Sequence, residues 1–303
     1  MNQKIGIIIK GINNIYTVLI DDKEILCRIK GKVLKESEKV YNPLAPGDRV
    51  KITTQGTSDG LITERVKREN AFIRWNMKKN LPQVLAVNID KVVCIVSPDN
   101  PPFRPRFIDR VIVCAGNIPI VIIMNKCDIP ISHEASKRFK HYQDLGFPIF
   151  TVSAQTGEGV DVLKSYFKDK SVAVVGQSGV GKSTLINKLL PSIEQRTGEI
   201  SSKYNRGRHV TNFAVMLSHG DITLIDTPGV RELQIALMDL HELGGYFPEI
   251  SIRQNACSFQ PCLHRNEPDC AIIDAVSKGE ILNDRYESYL RILDSIEERL
   301  GVY

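Results

Sequence analysis

Between Val172 and Thr184 the chain reads VAVVGQSGVGKST: an apolar run breaks into a glycine-rich turn and then enters the helix-forming stretch STLINKLL. No other stretch narrows the possible folds as much. Gly176, Gly181, Lys182 and Ser183 satisfy G-x-x-x-x-G-K-[ST], in the strand–loop–helix setting that the pattern needs. Glycines let the backbone wrap until successive N–H groups point at phosphate oxygens, and the helix N-terminus adds its dipole. The phosphate site so defined runs from Gly176 through Gln177, Ser178, Gly179, Val180, Gly181, Lys182 and Ser183 to Thr184. Lys182 is expected to bridge the β- and γ-phosphates, and the Ser183 hydroxyl to hold Mg²⁺. An incidental glycine turn would not need this setting.

Two later segments complete a phosphate-binding layout. LIDTPG ends an apolar run, placing Asp226 to hold Mg²⁺ and the Gly229 amide to meet a γ-phosphate. Alone, D-x-x-G is a weak signal; downstream of a phosphate loop it is strong. Between the two lies KYNRGRHVTNF, where a switch segment needs a threonine for the Mg²⁺ shell, and Thr211 is the candidate. Arg206, Arg208 and His209 beside it also read as an ordinary solvated basic loop.

The base-reading element comes earlier. In VIIMNKCDIP the Asp128 carboxylate can accept from guanine N1–H and the 2-amino group. Adenine lacks that donor pair and would leave a desolvated charge unpaired. Asn125 contacts the purine and braces neighbouring loops, and the Lys126 stem packs over the ring. VSAQTG ends the next apolar run with Ser153 and Ala154, the latter a backbone donor to guanine O6. Read in circular order, the runs SVAVV, NFAVML, ITLID, KVVCIVS, VIIM and IFTVSA follow the order of a small GTPase. The chain is cut after the switch-two strand, and the old ends are joined near residues 155–170. A parallel sheet with neighbouring termini tolerates such a permutation, because its contacts are unchanged.

The 303 residues suffice for two or three domains. Forty Lys and Arg against 35 Asp and Glu give a net charge of +5, which permits nucleic-acid contact without requiring it. The stretch MNQKIGIIIKGINN has too short an apolar run for a secretory leader, and IPIVIIM is far short of a membrane span. The expected location is the cytoplasm, without membrane contact. Seven cysteines there suggest metal rather than disulfides.

Residues 1–68 alternate short β-rich runs with turns, as in a small five-stranded barrel; an OB-fold is the best-known candidate, and pattern alone does not separate it from an SH3-like barrel. Residues 69–233 carry the α/β texture. Residues 234–303 hold CSFQPCLHRNEPDC and then a helix near 283–300 with apolar residues at i, i+3, i+4 spacing. Cys257, Cys262, His264 and Cys270 form C-x4-C-x-H-x5-C, a closed Cys₃His set of the structural zinc type. Cys27, Cys94 and Cys114 lie in apolar runs and read as packing residues.

This combination resembles one bacterial family, the ribosome small-subunit-dependent GTPase A (RsgA or YjeQ). Beyond the motifs above, the resemblance includes GDRV, AVNID, RGRH and HRNEPDCAIIDAVSKGEI. It implies a multidomain α/β protein: an N-terminal OB-fold barrel, a circularly permuted P-loop GTPase domain and a mainly helical zinc domain. It implies weak GTP hydrolysis stimulated by the 30S subunit, in late maturation of that subunit, with 16S rRNA, GTP and GDP as partners of a monomer. A checkpoint role in which nucleotide occupancy matters more than hydrolysis is the alternative. The catalytic set implied is His209, Thr211 and Lys182, with His209 orienting water because Val230 stands where many GTPases carry glutamine. Val210 departs from the family's H-T-T by replacing its first threonine, which leaves Thr211 as the local hydroxyl for Mg²⁺. Basic segments from Arg65 to Lys79, from Phe103 to Arg110 and around Arg206 fit rRNA phosphates, with Trp75 or Phe103 stacking on bases.

Overall fold

The computed structural model describes residues 3–31, 39–55, 59–191, 213–228 and 233–301. The first five strands, β1 (Gln3–Ile12), β2 (Ile15–Ile20), β3 (Lys23–Ile29), β4 (Arg49–Gln55) and β5 (Asp59–Arg65), close into a barrel of order β1-β2-β3-β5-β4. Only β3 and β5 pair in parallel, which is the OB arrangement rather than the SH3-like one. Ile8, Val18, Cys27, Val50, Ile52 and Ile62 fill it. Asp48 of the GDRV motif is fully buried: it accepts from the Ala45 N–H at 2.8 Å and takes both Nε and Nη2 of Arg68 at 2.8 Å.

A hairpin follows, β6 (Ala71–Asn76) and β7 (Leu81–Val87), as a separate two-stranded sheet. Asn76 Oδ1 accepts from the Lys78 and Lys79 amides at 3.1 and 3.2 Å, closing the turn with its own side chain. The hairpin is a bracket. Asn42 from the barrel side bonds Val84 through both N–H and C=O, and the Trp75 N–H donates to Gln234 O at 2.7 Å beyond the switch-two motif.

The main sheet has the order β10-β9-β8-β11-β13-β12, built from β8 (Lys91–Val96), β9 (Ile120–Asn125), β10 (Ile149–Val152), β11 (Lys170–Gly176), β12 (Val215–His219) and β13 (Ile222–Asp226). All neighbours are parallel except β12 on β13. Continuous apolar runs suit it because both faces are covered. Within β8, Val92, Cys94 and Val96 face one core while Val93 and Ile95 face the other. The second face packs on α3 (Val160–Phe167) and α4 (Lys182–Leu189) through Leu163, Phe167, Leu185 and Ile186.

The first face packs on α1 (Pro105–Ala115), with α2 (His133–Asp144) beside it, and its core continues without a break into the C-terminal region. Ile108 and Ile112 share a cluster with Leu243, Phe247, Tyr289, Ile292 and Ile296. Those residues come from the 3₁₀ turn Leu240–Tyr246, the short α5 (Pro248–Ser251) and the long α7 (Asn283–Leu300); α6 (Ala271–Ser277) joins them through Ile272 and Ala275. One apolar cluster therefore runs across the position between residues 233 and 234. No helix among the described residues is long and apolar enough to cross a membrane.

Candidate nucleotide and metal sites

Asn125 ends β9, Val152 ends β10, Gly176 ends β11 and Asp226 ends β13. Four parallel strands thus deliver their terminal residues to one edge of the sheet, where open α/β folds bind ligands. The element read early in the chain and the loop read late meet there directly. Asn125 Nδ2 donates to Val180 O at 2.8 Å, and Asn125 is 1% exposed. Gly181 must be glycine for this: its φ is +86°, and a Cβ would lie 2.3 Å from Asn125 Nδ2. Gln177 and Val180 are buried, whereas Ser178, Gly179, Ser183 and Thr184 are exposed along the rim.

The other half of the Asn125 amide is also engaged. Its Oδ1 accepts from the Ala154 N–H at 2.9 Å, so the amide assigned to guanine O6 is engaged within the protein. Ser153 is buried and closes the same loop: its Oγ accepts from the Thr156 N–H at 3.1 Å. Asp128, two residues beyond Lys126, is exposed.

At the phosphate end, the Lys182 ammonium bonds the Asp226 carboxylate and donates to Thr227 O at 2.7 Å. Burial pushes the Asp226 carboxyl up from its ordinary range, and Lys182 opposes that shift. The carboxylate, the Ser183 hydroxyl and the lysine are the donor set that a magnesium–phosphate group requires. His209, Thr211, Gly229 and Val230 lie outside the described residues.

Cys257, Cys262, His264 and Cys270 are all buried, and their ligand atoms lie within 4.8 Å of one another. Cys257 Sγ is 3.5 Å from His264 Nδ1 and 3.8 Å from Cys270 Sγ; Cys262 Sγ is 3.8 Å from Cys270 Sγ, and His264 Nδ1 is 3.4 Å from it. A tetrahedron with Zn–S bonds of ~2.3 Å and Zn–N bonds of ~2.0 Å has edges of about 3.5–3.8 Å. The cluster fits such an ion. Burial pushes the Cys262 thiol up to about 12, a shift that a bound cation reverses by favouring the thiolate. Tyr286 and Tyr289 of α7 donate to His264 O and Leu263 O at 2.6 and 2.9 Å, fastening the ligand loop to the shared core.

The basic stretch from Arg65 to Lys79 is mostly structural. Arg65 donates to Pro43 O, Arg68 pairs with Asp48 and Arg74 bonds Gln83. Trp75 is 8% exposed, too little to offer an open ring face to a base. Phe103 is half-buried, packed edge-on against Phe139 with centroids 6.4 Å apart. Lys67, Lys78 and Lys79 stay exposed.

With the phosphate loop strand seated between β8 and β13 and the base-reading strand sequentially ahead of it, the fold is that of a circularly permuted P-loop GTPase. Residues 65–236 match the family model described as RsgA GTPase, and residues 5–62 match the RsgA N-terminal domain. The chain belongs to the RsgA family. It is 38% identical over 302 residues to the small ribosomal subunit biogenesis GTPase RsgA of Borrelia recurrentis, covering 98% of this chain and 96% of that one. The protein of the same name from Bacteroides fragilis is also 38% identical over 302 residues, covering 97% of each. The crystal structure of YjeQ from Thermotoga maritima superposes with a TM-score of 0.72 at 29% identity, covering 97% of this chain and 99% of that one. YloQ, described as a circularly permuted GTPase, shares the fold with a TM-score of 0.70 at 24% identity over 98% of this chain and 96% of its own.

Proposed function

We propose that this protein is a cytoplasmic, monomeric GTPase of small-ribosomal-subunit biogenesis, which binds the 30S subunit and hydrolyses GTP to GDP and phosphate when the subunit stimulates it. The observation that carries this reading is the meeting of Asn125 with Val180 at the sheet edge, beside the Lys182–Asp226 pair. One site then holds a guanine reader and a phosphate cradle. The printed names of the relatives support the ribosomal role.

In this reading Asp128 selects guanine, the loop from Gly176 to Thr184 wraps the phosphates, and Lys182 leaves Asp226 for the β- and γ-phosphate oxygens. Ser183, Asp226 and Thr211 would hold Mg²⁺, which supplies positive charge against the phosphate oxygens when bound. A Lys182 ammonium drawn to the phosphates would leave the Asp226 carboxylate, its present partner, available to hold Mg²⁺. Val230 cannot orient water, and His209 is assigned that role when the 30S subunit is bound. Zinc held by Cys257, Cys262, His264 and Cys270 is structural, because four protein ligands leave no open position. The barrel, the exposed lysines of the hairpin turn and the zinc loop face 16S rRNA.

The test is GTP turnover with and without purified 30S subunits, for the parent protein and His209→Ala. Strong stimulation that the variant loses supports the assignment in full. Stimulation that the variant keeps clears His209. A parent protein that binds 30S in a nucleotide-dependent way without any stimulation is a checkpoint factor instead.

A further inference from the structure

The loop joining β8 to α1 belongs to none of the nucleotide motifs, yet it closes on the phosphate loop. A Cβ placed on Gly179 would meet Pro101 Cδ at 3.4 Å and the Asn100 carbonyl at 3.9 Å. That same carbonyl accepts a hydrogen bond from the Lys126 ammonium. Lys126 reaches it past the other end of the phosphate loop, since its Cε is 4.0 Å from where a Cβ on Gly181 would sit. The lysine stem therefore lies along the loop from Gly181 toward Gly179, with its charge anchored by a third segment of chain.

The turn that presents the carbonyl is specified locally. Asn100 has φ +46°, in the left-handed region that asparagine tolerates and β-branched residues avoid. Its N–H bonds Asp99 Oδ1 at 2.8 Å, and Ser97 Oγ donates to Pro101 O at 2.8 Å across the turn. Ser97 is buried, so the loop is pinned at its base.

We propose that Asn100 is a positioning residue for guanine-nucleotide binding: its left-handed turn aims a main-chain carbonyl at Lys126 and holds the lysine stem extended between the base-reading and phosphate-binding ends of the site. This rests on the GTPase reading above. An unanchored lysine must be ordered when nucleotide binds, which weakens affinity by up to roughly tenfold for one long side chain. The ammonium keeps donors beyond the one given to Asn100, so the anchor does not exhaust it.

Fluorescent-GDP affinity and steady-state GTP turnover test this in five variants. Asn100→Val, which disfavours the left-handed turn, should raise the GDP dissociation constant and the KM for GTP by about tenfold, with kcat unchanged. Asn100→Gly, which keeps the turn, should restore parent affinity. Ser97→Ala should give a smaller loss in the same direction, and it serves if Asn100→Val melts below the assay temperature. In a Lys126→Met background, Asn100→Val should add nothing. Parent-like affinity in a folded Asn100→Val, equal losses in Val and Gly, or an Asn100→Val effect that persists without Lys126 would each overturn the proposal. A parent protein that binds no GDP would overturn the GTPase reading itself, a result separable from all of these.

Discussion

Arg285, near the start of the last helix, donates to Asp109 on the first helix packed against the GTPase sheet, and neither side chain is more than 1% exposed. The two residues are 176 positions apart in the chain. Around them Glu249 takes Arg285 Nε and Nη2 at 2.6 and 3.1 Å, Tyr142 donates to Asp109 at 2.5 Å, and Arg138 approaches Asp109 at 3.5 Å. Phe247 lies under the guanidinium, its centroid 4.5 Å away. Burial alone would pull the Arg285 pKa down; Asp109 and Glu249 override it and hold the group protonated.

Removing one partner of such a cluster leaves a buried charge uncompensated, at a cost of about 3–5 kcal/mol. Asp109→Ala is expected to destabilise by that amount. Because the cluster joins the GTPase sheet to the C-terminal helices through one core, calorimetry should show a single transition moving down. A second transition assignable to the C-terminal region alone would contradict the shared core.

The Cys₃His cluster makes a separate prediction. Elemental analysis should find one zinc per chain, and Cys257→Ser should lose it. The expected destabilisation is several kcal/mol, below the ~10–16 kcal/mol of isolated zinc fingers, which lack a separate core. Here Tyr286 and Tyr289 already tie the loop to α7. A Cys257→Ser protein as stable as the parent would show that the tyrosines suffice without metal.

His141 on α2 supplies a pH dependence. Burial, chiefly, holds its imidazole below the ordinary value; Arg138 and Arg285 act the same way, against Glu249 and Asp284. Its Nε2 is buried without a hydrogen-bond partner. Stability from this residue is complete above an unfolded pKa of ~6.5 and falls as pH drops toward the lower folded value, since the unfolded chain takes up the proton first. Urea unfolding at pH 7.5 and 5.5 should therefore show a smaller loss for His141→Asn than for the parent. Equal losses would mean that other groups carry the acid sensitivity.

Gly47, in the loop ahead of β4, has φ +93°, and a Cβ there would lie 2.2 Å from Val87 O. Gly146, with φ +88°, has nothing within 4 Å of its added Cβ. Gly146→Ala should cost only the left-handed backbone, about 1–2 kcal/mol. Gly47→Ala should cost clearly more, because the barrel must also withdraw from β7. Denaturant midpoints compare the two, and equal shifts would refute a close barrel–hairpin contact.

What could be read from the chain was what is local to it. The phosphate loop, N-K-C-D and the cysteine loop announce themselves because backbone geometry and ligand spacing are properties of consecutive residues. The closed barrel was legible as five alternating runs, but the choice between an OB and an SH3-like arrangement was not, since β3 meets β5 only in space. The hairpin from Ala71 to Val87 was hidden behind its charges. Arg65, Arg68 and Arg74 resemble phosphate contacts until Pro43 O, Asp48 and Gln83 are seen to occupy them. Nor does anything near Asp109 or Arg285 foretell that two charged residues on amphipathic helices meet in the interior.

The seat of β11 in the middle of the sheet also bears on how the chain is made. Strands β8, β9 and β10 leave the ribosome first, and the edge of β8 that β11 will take stays unpaired until the phosphate loop strand follows, on the order of several seconds later. An open parallel edge of buried valines invites mispairing for that interval. Nucleotide cannot protect it, because the phosphate cradle is not yet synthesised. In a GTPase of ordinary strand order the cradle comes first and ligand can steady each later strand; here three of the six strands, β8, β9 and β10, must wait without it, and only β12 and β13 are made after the cradle that a guanine nucleotide can fill.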